Sequence, residues 1–192
     1  MEQIQIKNES DDDVNDVNDV NDDDIYFLNT KAFLTHEESE SQYDFYKRHN
    51  STDETLKLIN NESKSFGSLM EKIISEIFCL EKRVNEQQDG LFDNKKIEIK
   101  SSRYWVNSNY DCKWQHIEPN HDFDICIFAL VKFDCINCWA ISKNDLFKKE
   151  MIEQKIISKQ GKQGYWVKKS AIEKFLQPIK NKIDLQEFIN KL

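Results

Sequence analysis

The sequence predicts a layered α/β fold, and three observations carry that expectation. An amphipathic helical stretch follows Ser65, an alternating run over 96–100 signals a β-hairpin, and "FDICIFALVKF" is too apolar on both faces for a surface strand. A helix, then strands, then helices must bury a sheet beneath helical layers. At 192 residues the chain can form one domain with a hydrophobic core and no disulfide staples.

The elements follow in chain order. Residues 8–24, "NESDDDVNDVNDVNDDD", offer almost nothing large to bury, so residues 1–24 read as an acidic, disordered, solubilising tail. Residues 25–64 read as a helical lead-in, with "YFLNTKAFL" as an apolar anchor and a helix in "HEESESQYDFYKRH" capped by Thr35. The main domain spans 65–192. In "SFGSLMEKIISEIFCLEKRV", Leu69, Met70, Ile73, Ile74, Ile77, Phe78, Leu80 and Val84 recur at helical spacing and predict one broad buried face.

"QQDGLF", a turn at Asp93-Asn94 and "KKIEIKSS" then form the hairpin. "RYWVNSNYDCKWQHI" reads as a second hairpin or a long loop, "FDICIFALV" as a central strand, and "CWAIS" as its partner. Helices are predicted at 143–157, at 171–177 with a Ser170–Glu173 capping box, and at 184–191 with an Asp184–Glu187 box. "KQGKQGYWVKK" reads as a loop entering a short strand.

The formal charge of −8 belongs to the tail, because residues 1–24 hold ten acids against Lys7 alone. From Lys143 onward there are twelve lysines and six acids, which fits either a polyanion-binding face or a solvated helical surface. Five cysteines without a secretory leader point to free thiols and a soluble intracellular protein, in cytoplasm or nucleus. The longest apolar run, "ICIFALV", is too short to cross a membrane.

The chemistry concentrates at 89–100. An acid two residues before a lysine says little by itself: 35 acids and 24 lysines yield roughly four such triplets by chance, and five are present. Glu98 and Lys100 differ from the others in context, since period-two spacing puts both on one strand face and the preceding strand brings Asp89 toward them. Two converging carboxylates repel unless a cation lies between them, which suits a hard-oxygen site for Mg²⁺.

These residues resemble the PD-(D/E)xK, restriction-endonuclease-like superfamily of nucleases. "GSLMEKI" looks like the helix that carries the family's acid, matched by Glu71, while "QQDGLF" supplies Asp89 and "IEIKSS" supplies Glu98 and Lys100. The resemblance covers about residues 65–142. It implies a mixed central sheet flanked by helices in an αβββαβ core, with "FDICIFALV" as the third core strand. It further implies Mg²⁺-dependent hydrolysis of DNA phosphodiester bonds, with Mn²⁺ able to substitute. In that scheme Asp89 and Glu98 are ligands, Glu71 is a water-mediated or direct ligand, and Lys100 orients or activates water. Double-stranded DNA and a homodimer are implied as partners. The alternatives are a structure-selective repair or junction nuclease, and a catalytically silent DNA-binding or protein-interaction module of the same fold.

Each residue also has a structural reading. Ser68–Glu71 fits a capping box, Asp89 beside Gly90 fits a turn start, and Glu98 with Lys100 fits a solvent-facing strand. Asp93 competes with Asp89 for the acid but sits in the turn. Lys162, Lys168 and Lys169 are the expected DNA-backbone contacts, and Gln115 is an auxiliary site residue or a structural one. Cys135-Ile-Asn-Cys138 with Cys112, His116 and His121 raises a zinc site, against which stands the missing second knuckle. The four tryptophans stack bases or pack the core.

Overall fold

Strand β5 (Ile125–Val131) is buried at every residue, so both of its faces must be covered, and the fold is organised around that need. The structure, a computed structural model, describes residues 40–106 and 109–192. The acidic tail, the "YFLNTKAFL" anchor and the Thr35 cap lie outside the described residues. In the compact unit Glu40–Leu192, β5 runs parallel to β3 (Lys95–Arg103) and antiparallel to β6 (Ile136–Ser142). With β1 (Glu81–Lys82), β2 (Gly90–Phe92) and β9 (Gln177–Ile179) they make a mixed sheet of order β1-β2-β3-β5-β6-β9.

A second sheet, β4 (Lys113–Ile117), β8 (Tyr165–Lys168) and β7 (Ile157–Lys159), lies on one face of the first. The buried Trp114 of β4 fixes this layer by donating its indole N–H to the Ala129 carbonyl of β5 at 2.9 Å and packing on Phe128. On the same face Ser102 donates to the Lys113 carbonyl. The opposite face of β3 meets helix α3 (Ser63–Phe78), where the Arg103 guanidinium lies 4.4 Å from the centroid of the Phe66 ring. The parallel crossover from β3 to β5 therefore passes through β4, with no helix among its described residues.

Two short helices precede α3 and pack into the same core: α1 (Gln42–Arg48), through Phe45 and the fully buried Tyr46, and α2 (Asp53–Ile59), through Leu58 and Ile59. The Tyr46 hydroxyl donates to the Val131 carbonyl and accepts from the Tyr104 amide, so α1 is tied to the ends of both central strands.

The "KIEIK" hairpin, the central strand and its "CWAIS" partner form as the sequence predicts, and Asp93 and Asn94 take the positive φ values, 49° and 59°, that a two-residue hairpin turn requires. Other boundaries differ. Helix α3 begins at Ser63 and ends where Cys79 turns left-handed at φ 53°. Its buried stripe is Phe66, Met70, Ile74 and Phe78, narrower than expected, with Leu69 and Ile77 exposed and Val84 beyond the helix. Ser68 and Glu71 therefore lie inside the helix, and the capping-box reading of that pair does not hold.

The stretch 143–157 is not one helix. It breaks at Phe147 into α4 (Lys143–Leu146) and α5 (Lys149–Glu153) before β7 starts. The Ser170–Glu173 box does not form either: Ser170 sits inside α6 (Lys169–Ile172) with its hydroxyl on Asp111, while Glu173 pairs with Lys169. That helix gives way, through a 3₁₀ turn, to β9 with its Pro178. The last helix, α7 (Lys182–Ile189), is capped by Asn181 rather than Asp184. Of "RYWVNSNYDCKWQHI", Arg103 ends β3 and Lys113–Ile117 form β4, and among the described residues β4 pairs with β8 and not with a second hairpin strand. No helix among the described residues is long and apolar enough to cross a membrane.

Candidate functional site

The candidate site forms where β2 leaves β3. Their ladder ends at the Gly90–Ile97 pair, so beyond Ile97 the β2 side of β3 has no strand partner among the described residues. Asp89, the residue before β2, takes over that edge: its amide donates to the Ile97 carbonyl, and its Oδ2 accepts the Ile99 amide at 2.7 Å. A carboxylate in place of a strand satisfies the exposed backbone donor and holds the side chain beside Glu98 and Lys100. Asp93, by contrast, accepts from Gln186 of α7 and faces away, as its turn position predicts.

Glu98 and Lys100 share a face of β3, and Lys100 Nζ meets Glu98 Oε1 at 2.5 Å. Glu98 is nearly inaccessible, with 5% of its side chain exposed, so this is a buried ion pair and not a solvent-facing strand surface. Glu71 enters from α3. Burial raises the Glu71 carboxyl above its ordinary range, and the Asp89 charge pushes it the same way. Burial likewise raises Asp89, against the Ile99 hydrogen bond and Lys100. Glu98 is raised by burial, opposed by Lys100 and reinforced by Asp89. Burial would lower Lys100, but the Glu98 charge and hydrogen bond outweigh it and hold the amine protonated.

Three acids thus share one field with a single buried amine. The structure brings together all four residues that the sequence singles out. Two contributors were not expected at this site: Arg83, whose charge favours ionisation of Glu71 and Asp89, and His121, raised from the sequence only as a zinc ligand, whose charge acts similarly on Asp89 and Glu98. Neither stands in a motif, and only the tertiary fold carries them here.

Among the described residues, no three His, Cys, Asp or Glu side chains are grouped so as to hold a metal ion directly. The donor chemistry still fits a hard cation bound through two carboxylates and waters, because Mg²⁺ retains several waters and needs few protein ligands. Buried acids that raise one another also gain most from an added positive charge.

A cleft of about 360 Å³ opens at Glu71 and Lys100, which line it, while Asp89 and Glu98 lie outside its lining. Its floor is the open edge of β3 from Ile99 to Arg103, one wall is α3 with Phe66, Gly67 and Glu71, and the other is β4 with Lys113, Gln115 and His116. The second wall depends on a β-bulge. Trp114 pairs with Val167 while Ile117 pairs with Tyr165, so β4 carries one extra residue, and His116 absorbs it at φ 57°. Trp114 and Ile117 both stay buried, and Gln115 and His116 both line the cleft. Simple alternation over "KWQHI" cannot anticipate that.

The lysines expected to contact DNA are only partly available. Lys162 and Lys168 are exposed, the latter paired across the ladder with Lys113 of the cleft wall, whereas Lys169 is committed to Glu173 at 2.6 Å. Trp114 and Trp139 are core residues, Trp166 stacks under the Lys113 amine at 3.8 Å, and Trp105 lines the cleft. All five cysteines are free; Cys112, Cys126 and Cys138 are buried, and the zinc reading finds no assembled ligand set among the described residues. Comparison of the chain with protein-family models, with curated proteins and with solved structures finds no match.

Proposed function

We propose that the chain is a Mg²⁺-dependent endonuclease that hydrolyses DNA phosphodiester bonds, built on a restriction-endonuclease-like core of α3, the β2–β3 hairpin and β5. The convergence of Glu71, Asp89, Glu98 and Lys100 at the open edge of β3 carries this reading. Asp89 and Glu98 would hold the ion, with Glu71 reaching it through water. When bound, Mg²⁺, or Mn²⁺ in its place, polarises a phosphoryl oxygen and acidifies water.

The chain's own residues do the rest. Lys100, kept protonated by Glu98, places positive charge beside the scissile phosphate and orients the attacking water. The Ile99 amide fixes the Asp89 carboxylate so that little reorganisation is needed on binding. Exposed Lys162 and Lys168 supply charge for the DNA backbone. By the same resemblance, two copies would pair to cut both strands.

Incubating plasmid with the protein in Mg²⁺, Mn²⁺, Ca²⁺ or EDTA tests the proposal. Cutting in Mg²⁺ and Mn²⁺, and loss of at least about a hundredfold in Glu98→Ala and in Lys100→Ala, is the expected result. Cutting in EDTA, or full activity in both variants, overturns it. One observation favours a second reading: the Glu98–Lys100 pair closes upon itself at 2.5 Å. A catalytically silent DNA-binding module would leave every substrate intact and bind DNA equally well in Mg²⁺ and in EDTA.

A further inference from the structure

The shape and lining of the cleft at Glu71 and Lys100 bear on what kind of nucleic acid enters it. The floor is a sheet edge one strand wide, enclosed between a helix and a bulged strand, and its volume of about 360 Å³ falls at the lower end of single small-ligand sites. A duplex presents its backbone across a broad surface and reaches such a slot only with one strand. The lining is mixed in kind. Lys100 and Lys113 supply charge for phosphate, Gln115 supplies an amide able to pair with a base edge, and His116 an imidazole. Trp105, 37% exposed, lines the same cleft and offers an aromatic ring for a base.

The β4 bulge makes this lining specific. A regular strand would send alternate residues into the core, whereas the left-handed backbone at His116, costly for a residue with a side chain, turns both Gln115 and His116 toward the slot. Gly67 on the facing helix lines the same slot.

We propose that this cleft is a subsite for an unpaired nucleotide. It takes a single strand, or a duplex locally opened beside the cut, with one base against Trp105, Gln115 and His116 and its phosphate between Lys113 and Lys100. The proposal rests on the nuclease reading for the identity of the ligand as nucleic acid, and it narrows that ligand to unpaired strand.

Fluorescence anisotropy in EDTA, where cleavage does not intervene, tests it on the full chain with labelled 20-nucleotide probes: single strand, blunt duplex, and duplex with a three-nucleotide gap. Binding of the single strand and the gapped duplex about tenfold tighter than the blunt duplex is expected. Trp105→Ala and His116→Ala should each remove most of that advantage and leave blunt-duplex affinity unchanged. His116→Ala is the safeguard should the tryptophan variant not fold, since His116 is exposed. Equal affinity for all three probes, or variants that retain the preference, overturns the subsite without touching the plasmid result. Failure of every probe to bind, together with failure to cut plasmid, overturns the nuclease reading as well.

Discussion

At the scale of single residues, Asp89 shows how one side chain can be both structural and chemical. Its carboxylate replaces a strand partner for the Ile99 amide, yet burial holds its ionised form at a disadvantage. A carboxyl whose folded-state pKa is raised contributes stability below its unfolded pKa and loses it as pH rises through the folded value. Asp89→Asn keeps an acceptor for Ile99 and removes the charge. In metal-free buffer the variant should unfold about 2–4 °C above the parent at pH 8, with the gap shrinking toward pH 4. Thermal melts across that range decide it: a variant less stable than the parent at pH 8 would mean that the Asp89 charge is stabilising. Glu98 and Lys100 were legible from period-two spacing and Asp89 from its place in the hairpin. Arg83 and His121 were not, because each lies on a segment without periodicity and reaches the acids only through space.

At the scale of elements, the bulged β4 and the β7–β8 turn beside it shape one wall of the cleft. Gly164 has φ 73°, and a Cβ there would stand 2.6 Å from Glu118 Oε1 and 2.7 Å from the Ile117 carbonyl oxygen. Glu118 can swing aside, but the backbone carbonyl cannot. Gly164→Ala should therefore cost about 1–3 kcal/mol, read as a drop in unfolding midpoint of about 2–4 °C for each kcal/mol. An unchanged midpoint would show that the turn does not pack on β4 as described. Helix α3 makes the complementary point: its apolar residues were legible at once, but its ends were not. Termination at Cys79 is a backbone event that the hydrophobic pattern runs straight through, from Ile77 to Val84.

At the scale of the whole molecule, two sheets and the α3 layer hold several like charges in a partly dehydrated site at the edge of the central sheet. Any cation that binds only the folded state must raise its stability, by about 2.7 kcal/mol when present at a hundredfold excess over its dissociation constant. Titrating Mg²⁺ into the parent should shift the unfolding midpoint upward, and Asp89→Asn should abolish the shift. A midpoint indifferent to Mg²⁺ and Mn²⁺ would remove the metal from the proposal and favour the silent module.

What the sequence determined by itself was local: the amphipathic α3, the two-residue turn at Asp93-Asn94, the doubly buried β5 and the shared face of Glu98 and Lys100. All follow from periodicity or turn chemistry within a few neighbouring residues. Only the tertiary structure decided that β3 to β5 crosses through a second sheet, that β2 stops early enough for Asp89 to take its place, and that an extra residue in β4 turns Gln115 and His116 to the cleft. Those outcomes depend on which strand finds which partner and where a ladder ends. That is settled by packing around Trp114 and β5, far from the residues whose positions it fixes.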